Sequence, residues 1–94
     1  MKTHEIKNYI RQRLYDLQRT YNRYYNSINV DHPLALSQAY NIYNWALNII
    51  TQIEDTFPDS IICRLDVIDT EVKIGVAHYK LCNIISNNTT NGSK

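Results

Sequence analysis

Apolar residues recur every three or four positions along most of the chain, and this spacing leaves few folds open to it. In the first segment the series runs through Ile6, Ile10, Leu14, Leu17, Tyr21, Tyr24 and Ile28. That is the period of one face of an α-helix, whereas a half-buried strand alternates every second residue. We therefore predict a first helix from about residue 3 to residue 28.

The second segment repeats the helical spacing between two prolines. Its apolar residues are Leu36, Tyr40, Tyr43, Leu47, Ile50, Ile53 and Phe57. Pro33 suits a first helical turn with Asp31 nearby as a cap, and Pro58 cannot continue a helix. A second helix over 33–57 is predicted. At 100° per residue Trp45 widens its apolar arc, so this helix must contact more than one neighbour.

The third segment fits two structures. One helical stripe, here called the Leu65 stripe, consists of Ile61, Leu65, Ile68, Val72, Val76 and Tyr79. Residues 60–77 also alternate like a β-hairpin, and Gly75 is unfavourable inside a helix. We favour a helix from Asp59, its expected N-cap, to about residue 86, because an isolated two-stranded hairpin is marginal and this helix would match the others in length.

These segments predict an all-α fold, an antiparallel three-helix bundle with long helices. The alternative is two helices plus a β-hairpin in residues 60–77. At 94 residues and 11.1 kDa the chain has room for one domain, placed at 1–86, followed by a polar C-terminal tail at 87–94.

The predicted third helix carries a second apolar seam, here called the Ile74 stripe, about 200° from the first. It comprises Cys63, Val67, Ile74, Leu81 and Ile85. Only one seam can face the core of a three-helix bundle, and we assign that role to the Leu65 stripe. The Ile74 stripe, extended by Trp45, is then expected to contact another chain, either a second copy or a different protein.

No pattern points to an enzyme or a cofactor. The chain has two glycines and lacks a glycine-rich phosphate loop, a GxSxG sequence and an HExxH sequence. His78 and Cys82 are four residues apart, but no orienting carboxylate or amide is evidently placed beside them. Cys63 and Cys82 form no CxxC pair and accompany no His or Cys cluster, so neither a metal site nor a disulfide framework is expected. We predict no catalytic, cofactor-binding or metal-binding residues.

Charge is segregated along a chain whose net charge is only +1. Residues 1–29 contain six basic and two acidic residues, whereas residues 30–59 contain four acidic residues and no lysine or arginine. Opposite the apolar stripe of the first helix lie Arg11, Tyr15, Arg19 and Arg23. Arginine forks bind phosphates and tyrosine stacks on bases, so this face is the candidate for RNA or single-stranded nucleic acid.

The leading functional prediction is a non-enzymatic protein–protein interaction module: an oligomer, adaptor, inhibitor or accessory subunit. Nucleic-acid binding through the first helix is the alternative. No apolar run approaches the roughly 20 residues of a membrane span and no signal-peptide pattern is present, so we expect a cytoplasmic protein with no membrane partner and no small-molecule substrate. Its richness in Asn, Ile and Tyr is compatible with a phage or mobile-element origin.

Overall fold

Three α-helices account for nearly all of the described chain, which confirms the predicted all-α bundle. The computed structural model describes residues 2–57 and 64–92. Helix α1 spans Thr3–Ser27, α2 spans Ala35–Thr56 and α3 spans Arg64–Gly92. The β-hairpin alternative is wrong for residues 64–77, which are helical, and its first residues lie outside the described ranges.

The helix ends differ from the sequence prediction at two places. α2 begins two residues late, after a turn in which the Asp31 N–H donates to the Asn29 side chain at 3.1 Å and the Leu34 N–H donates to His32 Nδ1 at 3.0 Å. Asn29 and His32 therefore hold this turn, and the N-cap residue of α2 is Leu34, which makes no side-chain cap hydrogen bond. α3 continues to Gly92 instead of ending near residue 86, because polar residues without proline can extend the backbone hydrogen bonds. The proposed cap at Asp59 lies outside the described residues.

Contacts between rings and polar groups establish an up-down-up order. Tyr9 packs on Phe57 and Tyr24 packs on Trp45, with ring centroids 5.7 and 5.4 Å apart, so α1 and α2 are antiparallel. Arg11 pairs with Asp66 at the same end at which α1 begins, so α3 runs in the direction of α1. The result is a rod of 59 × 18 × 16 Å.

The core face of α1 is the one its spacing predicts. Its buried residues are Ile10, Leu14, Leu17 and Tyr21. Ile6 and Ile28, at the two ends of the series, are half-buried, while Tyr24 is largely exposed. The helical period therefore located this face correctly, and only its last aromatic residue extends into solvent.

The core face of α2 is rotated from the predicted stripe toward its smallest residues. The buried set is Ala35, Ala39, Ala46, Ile50 and Ile53. Leu36 and Tyr40, expected in the core, are exposed. In so narrow a bundle, alanines let the helices approach closely, whereas long side chains fit better at the edge, where the tyrosine hydroxyl stays in water.

The two faces of α3 are exchanged relative to the prediction. The side chains that face the core are Val67, Thr70, Ile74, Leu81 and Ile85. The described part of the Leu65 stripe points outward, so its assignment to the core is wrong. Thr70 fits the interior because its hydroxyl accepts a hydrogen bond from Gln18 Nε2 at 3.2 Å and donates one to the Asp66 carbonyl at 2.9 Å.

Tyr21 is the one core residue in the described ranges whose side-chain hydroxyl is buried without a hydrogen-bond partner. Burial, reinforced by the nearby Tyr25, Cys82 and Tyr43, raises its pKa from 10.0 to about 12. The unfolded chain therefore releases this proton at a lower pH than the folded chain does. Ionisation of Tyr21 therefore leaves the free energy of unfolding unchanged below pH 10 and lowers it as the pH rises toward 12.

We expect Tyr21→Phe to raise the free energy of unfolding by about 1 kcal/mol at pH 7, because the unsatisfied hydroxyl is removed while the ring is kept. It should also reduce the fall in stability between pH 10 and 12. Urea unfolding of both proteins across this pH range measures the two effects. An equal alkaline loss in both proteins would show that other groups cause it.

Candidate functional site

The Leu65 stripe is the most distinctive surface of the folded protomer. Its described members are Leu65, Ile68, Val72, Val76 and Tyr79. Leu65 is 80% exposed, Val72 57% and Tyr79 68%. At 1.5 Å per residue the stripe runs for about 21 Å along α3, on the side opposite the core. Single exposed apolar residues are common, whereas an aligned row of five is the unusual feature that makes this surface the candidate site.

The Ile74 stripe, predicted to bind a partner, lies inside the protomer instead. Val67 and Ile74 pack in the central cluster with α1 and α2, while Leu81 and Ile85 pack in a second cluster with Ala35 and others of α2. These four side chains cannot form a free contact surface, so that prediction is corrected. One of the two apolar seams of α3 does face outward, but it is the Leu65 stripe and not the Ile74 stripe.

Of the two remaining residues of the predicted partner surface, Trp45 lies in the described part of the chain and Cys63 does not. Trp45 is half-buried, packs edge-to-face on Tyr24 and contacts the central cluster, so it belongs to the α1–α2 interface. Its assignment to a partner surface stays a prediction. Cys63 lies outside the described residues.

Beside the Leu65 stripe, the α2–α3 boundary holds an aromatic cluster around His78. The His78 ring stacks on Tyr43 with centroids 4.1 Å apart and planes at 6°, and it meets the exposed Tyr40 ring at 4.9 Å and 68°. His78 directly precedes Tyr79 in the chain. The two side chains point about 100° apart on α3, so the aromatic cluster lies on the flank of α3 that faces α2, and only the tertiary structure shows it.

His78 and Cys82 are in contact but are not arranged as an activated pair. The Cys82 sulfur lies 3.6 Å from His78 Nε2, near enough for a weak hydrogen bond. Burial lowers the pKa of His78 and raises the pKa of Cys82, so both shifts favour the neutral forms. A nucleophilic thiolate requires the opposite shift at the cysteine. We interpret the contact as packing within the aromatic cluster.

The predicted basic face of α1 is exposed, but part of it is engaged within the protomer. Arg11 Nε donates to Asp66 Oδ2 at 3.1 Å, which offsets its charge. The Arg19 guanidinium lies over the Tyr15 ring at 5.7 Å. Arg23 is exposed at the next turn. Within the described ranges this face thus presents a shorter row of uncompensated positive charge than its sequence indicated.

Neither a metal cluster nor a membrane span is found in the part of the chain that the structure describes. Its His, Cys, Asp and Glu side chains form no group of three that could hold an ion. None of the described helices has both the length and the apolar character needed to cross a bilayer. Comparisons with protein-family models, curated proteins and solved structures found no match.

Proposed function

We propose that this chain is a non-enzymatic, cytoplasmic helical module that works by binding another protein surface through the Leu65 stripe of α3. The observation that supports this proposal is the row of five large apolar side chains on the outside of an already complete bundle. An oligomer, an adaptor, an inhibitor and an accessory subunit all use such a surface.

The energetics favour a covered stripe over a solvated one. Removing one Val, Leu or Ile side chain from water stabilises a protein by roughly 1.5 to 3 kcal/mol. The five side chains are partly buried already, so covering what remains exposed would add several kcal/mol, comparable to the lower end of the stability of a small domain, about 5 kcal/mol. In residues 2–57 and 64–92 the core is filled by the Ile74 stripe, so association with another protein would bury the outer row.

Photo-crosslinking in the cells that make the protein tests this proposal. A benzophenone amino acid replaces Val72 in the stripe or, as the matched control, the exposed Asn44 on α2. We expect a discrete adduct from position 72 that disappears when Ile68→Asp is added, and no such adduct from position 44. Absence of an adduct at position 72, or the same adducts from both positions, would contradict the proposal.

The second candidate function is binding of RNA or single-stranded nucleic acid by α1. Tyr15 is 58% exposed with Arg19 above its ring, an arrangement that could stack on a base while contacting a phosphate. We rank it lower because Arg11 is paired with Asp66 and the sequence pI is only about 7.8.

If α1 binds nucleic acid, Arg19→Glu should weaken the binding and reduce the slope of log K against log salt by about one unit. Thermal stability should be nearly unchanged because Arg19 is exposed. Fluorescence anisotropy of labelled RNA and single-stranded DNA measures both quantities. No binding by the unmodified protein at low salt would eliminate this candidate.

A further inference from the structure

Two histidines flank the second cluster, at the end of the bundle where α2 begins. The buried members of this cluster are Ala35, Ala39, Leu81 and Ile85. On one side Val30 packs against it, from the α1–α2 turn that His32 holds. On the other side Cys82 packs against it and contacts His78. The packing at this end of the bundle therefore adjoins both imidazole rings.

The turn before α2 requires a neutral His32. Its Nδ1 accepts a hydrogen bond from the Leu34 N–H at 3.0 Å, so the proton of the neutral ring is on Nε2. Protonation places a hydrogen on Nδ1, which can then no longer accept, and the Leu34 N–H loses this partner. The positive ring also lies just before α2, where the helix dipole disfavours a cation. Acid therefore weakens this turn in two ways.

The charged groups around the turn offset little of this effect. Asp31 adjoins His32 and is the one acid of the turn. Both side chains are exposed, so water screens their attraction. Among the described side chains, the last charged residue of α1 is Arg23 and the last of α3 is Lys80. Both are basic, so neither helix supplies a carboxylate at this end.

His78 is surrounded by groups that are neutral at pH 7. They are Tyr40 and Tyr43 from α2, Cys82 from α3 itself and, on the α1 side of Cys82, Tyr21 and Tyr25. α2 carries no charged residue before Glu54, and Glu71 is two helical turns, about 10 Å, from His78 along α3. A protonated His78 is thus half-buried without a counter-charge, and burial lowers the pKa of this histidine.

We propose that acid loosens this end of the bundle, because protonation of His32 and His78 opens the second cluster while the central cluster keeps the remainder folded. Two of the four buried residues of the second cluster are alanines, so it opens at a lower cost than the central cluster does. The stability that depends on neutral His78 is complete above its ordinary pKa of 6.5 and is lost as the pH falls through the lowered value. This device is independent of what covers the Leu65 stripe.

Two substitutions keep the contacts and remove the titration. His32→Asn retains an acceptor for the Leu34 N–H, because an asparagine side chain accepts from the backbone two residues on. His78→Phe retains a ring against Tyr43 that cannot be protonated. His4→Gln is the matched control, since His4 is exposed near the start of α1, at the opposite end of the bundle.

Native-state amide hydrogen exchange at about pH 7.5 and about pH 5.5, corrected for the intrinsic exchange rate, measures the opening. In the unmodified protein and in His4→Gln, the opening constant of amides in 39–43 and 81–85 should rise at least about threefold in acid. Each single variant should show a smaller rise, and the double variant almost none. At the lower pH these amides should also exchange at least about tenfold faster than those in 10–17.

Two results would overturn the proposal. The first is an equal acid-induced rise in the double variant and the unmodified protein, which would show that other groups cause the loosening. The second is equal protection of 39–43, 81–85 and 10–17 in acid, which would show that the bundle opens only as a whole.

Discussion

Replacing Ile74 with aspartate should unfold the protein. Ile74 is 2% exposed and packs in the central cluster between all three helices. A carboxylate there must be either desolvated without a partner or protonated, and the branched side chain is lost as well. We expect destabilisation of about 4 kcal/mol or more, which is most of the free energy of unfolding of a domain at the lower end of the usual range of about 5 to 15 kcal/mol, where so small a bundle belongs. Circular dichroism with urea titration measures it.

Val72→Asp is the matched control for this prediction, since it introduces the same charge two residues away on the outer face. Val72 is largely exposed, so the variant should stay folded, within about 1 kcal/mol of the unmodified chain. A folded Ile74→Asp protein, or an unfolded Val72→Asp protein, would show that the two faces of α3 are assigned the wrong way round.

The second large effect is on association. Val72→Asp places a carboxylate in the middle of the Leu65 stripe, where a bound partner would exclude water from it. We expect the affinity for the partner to fall about thirtyfold or more, as for a change at the centre of an interface. Analytical ultracentrifugation across a range of concentrations measures the loss. The exposed Glu71→Gln change, off the centre of the stripe, should have little effect.

The number, order and approximate limits of the helices could be predicted because they depend on local rules. The period of α1, the prolines flanking α2 and the continuous spacing of α3 each indicate a helix regardless of its neighbours. The buried face of α1 followed from the same spacing, because this helix has one apolar side only. The sequence also showed that α3 has two apolar seams and that one of them must lie outside the core.

Which seam lies outside could not be predicted, because the choice depends on how closely the helices approach one another. The Leu65 stripe has the larger side chains and looks like a core, whereas the Ile74 stripe is interrupted by Thr70 and Ala77. Those small residues suit the narrow centre, where α2 presents alanines, and Gln18 satisfies the Thr70 hydroxyl. Volume complementarity between helices, rather than hydrophobicity along one helix, therefore determined the orientation of α3.

Thiol labelling at two neighbouring positions tests the orientation of α3 most directly. With Cys63 and Cys82 replaced, Val72→Cys and Ile74→Cys each carry one thiol, and a thiol-reactive dye reports its accessibility in the dilute protomer. The thiol at position 72 should react with the dye nearly as fast as it does in the unfolded chain. The thiol at position 74 should react at least about a hundredfold more slowly, because the dye reaches it only when the protein unfolds. The thiol at position 72 should become protected from the dye only when the chain is bound to its partner. Fast labelling at position 74 together with protection at position 72 in the monomer would contradict the account.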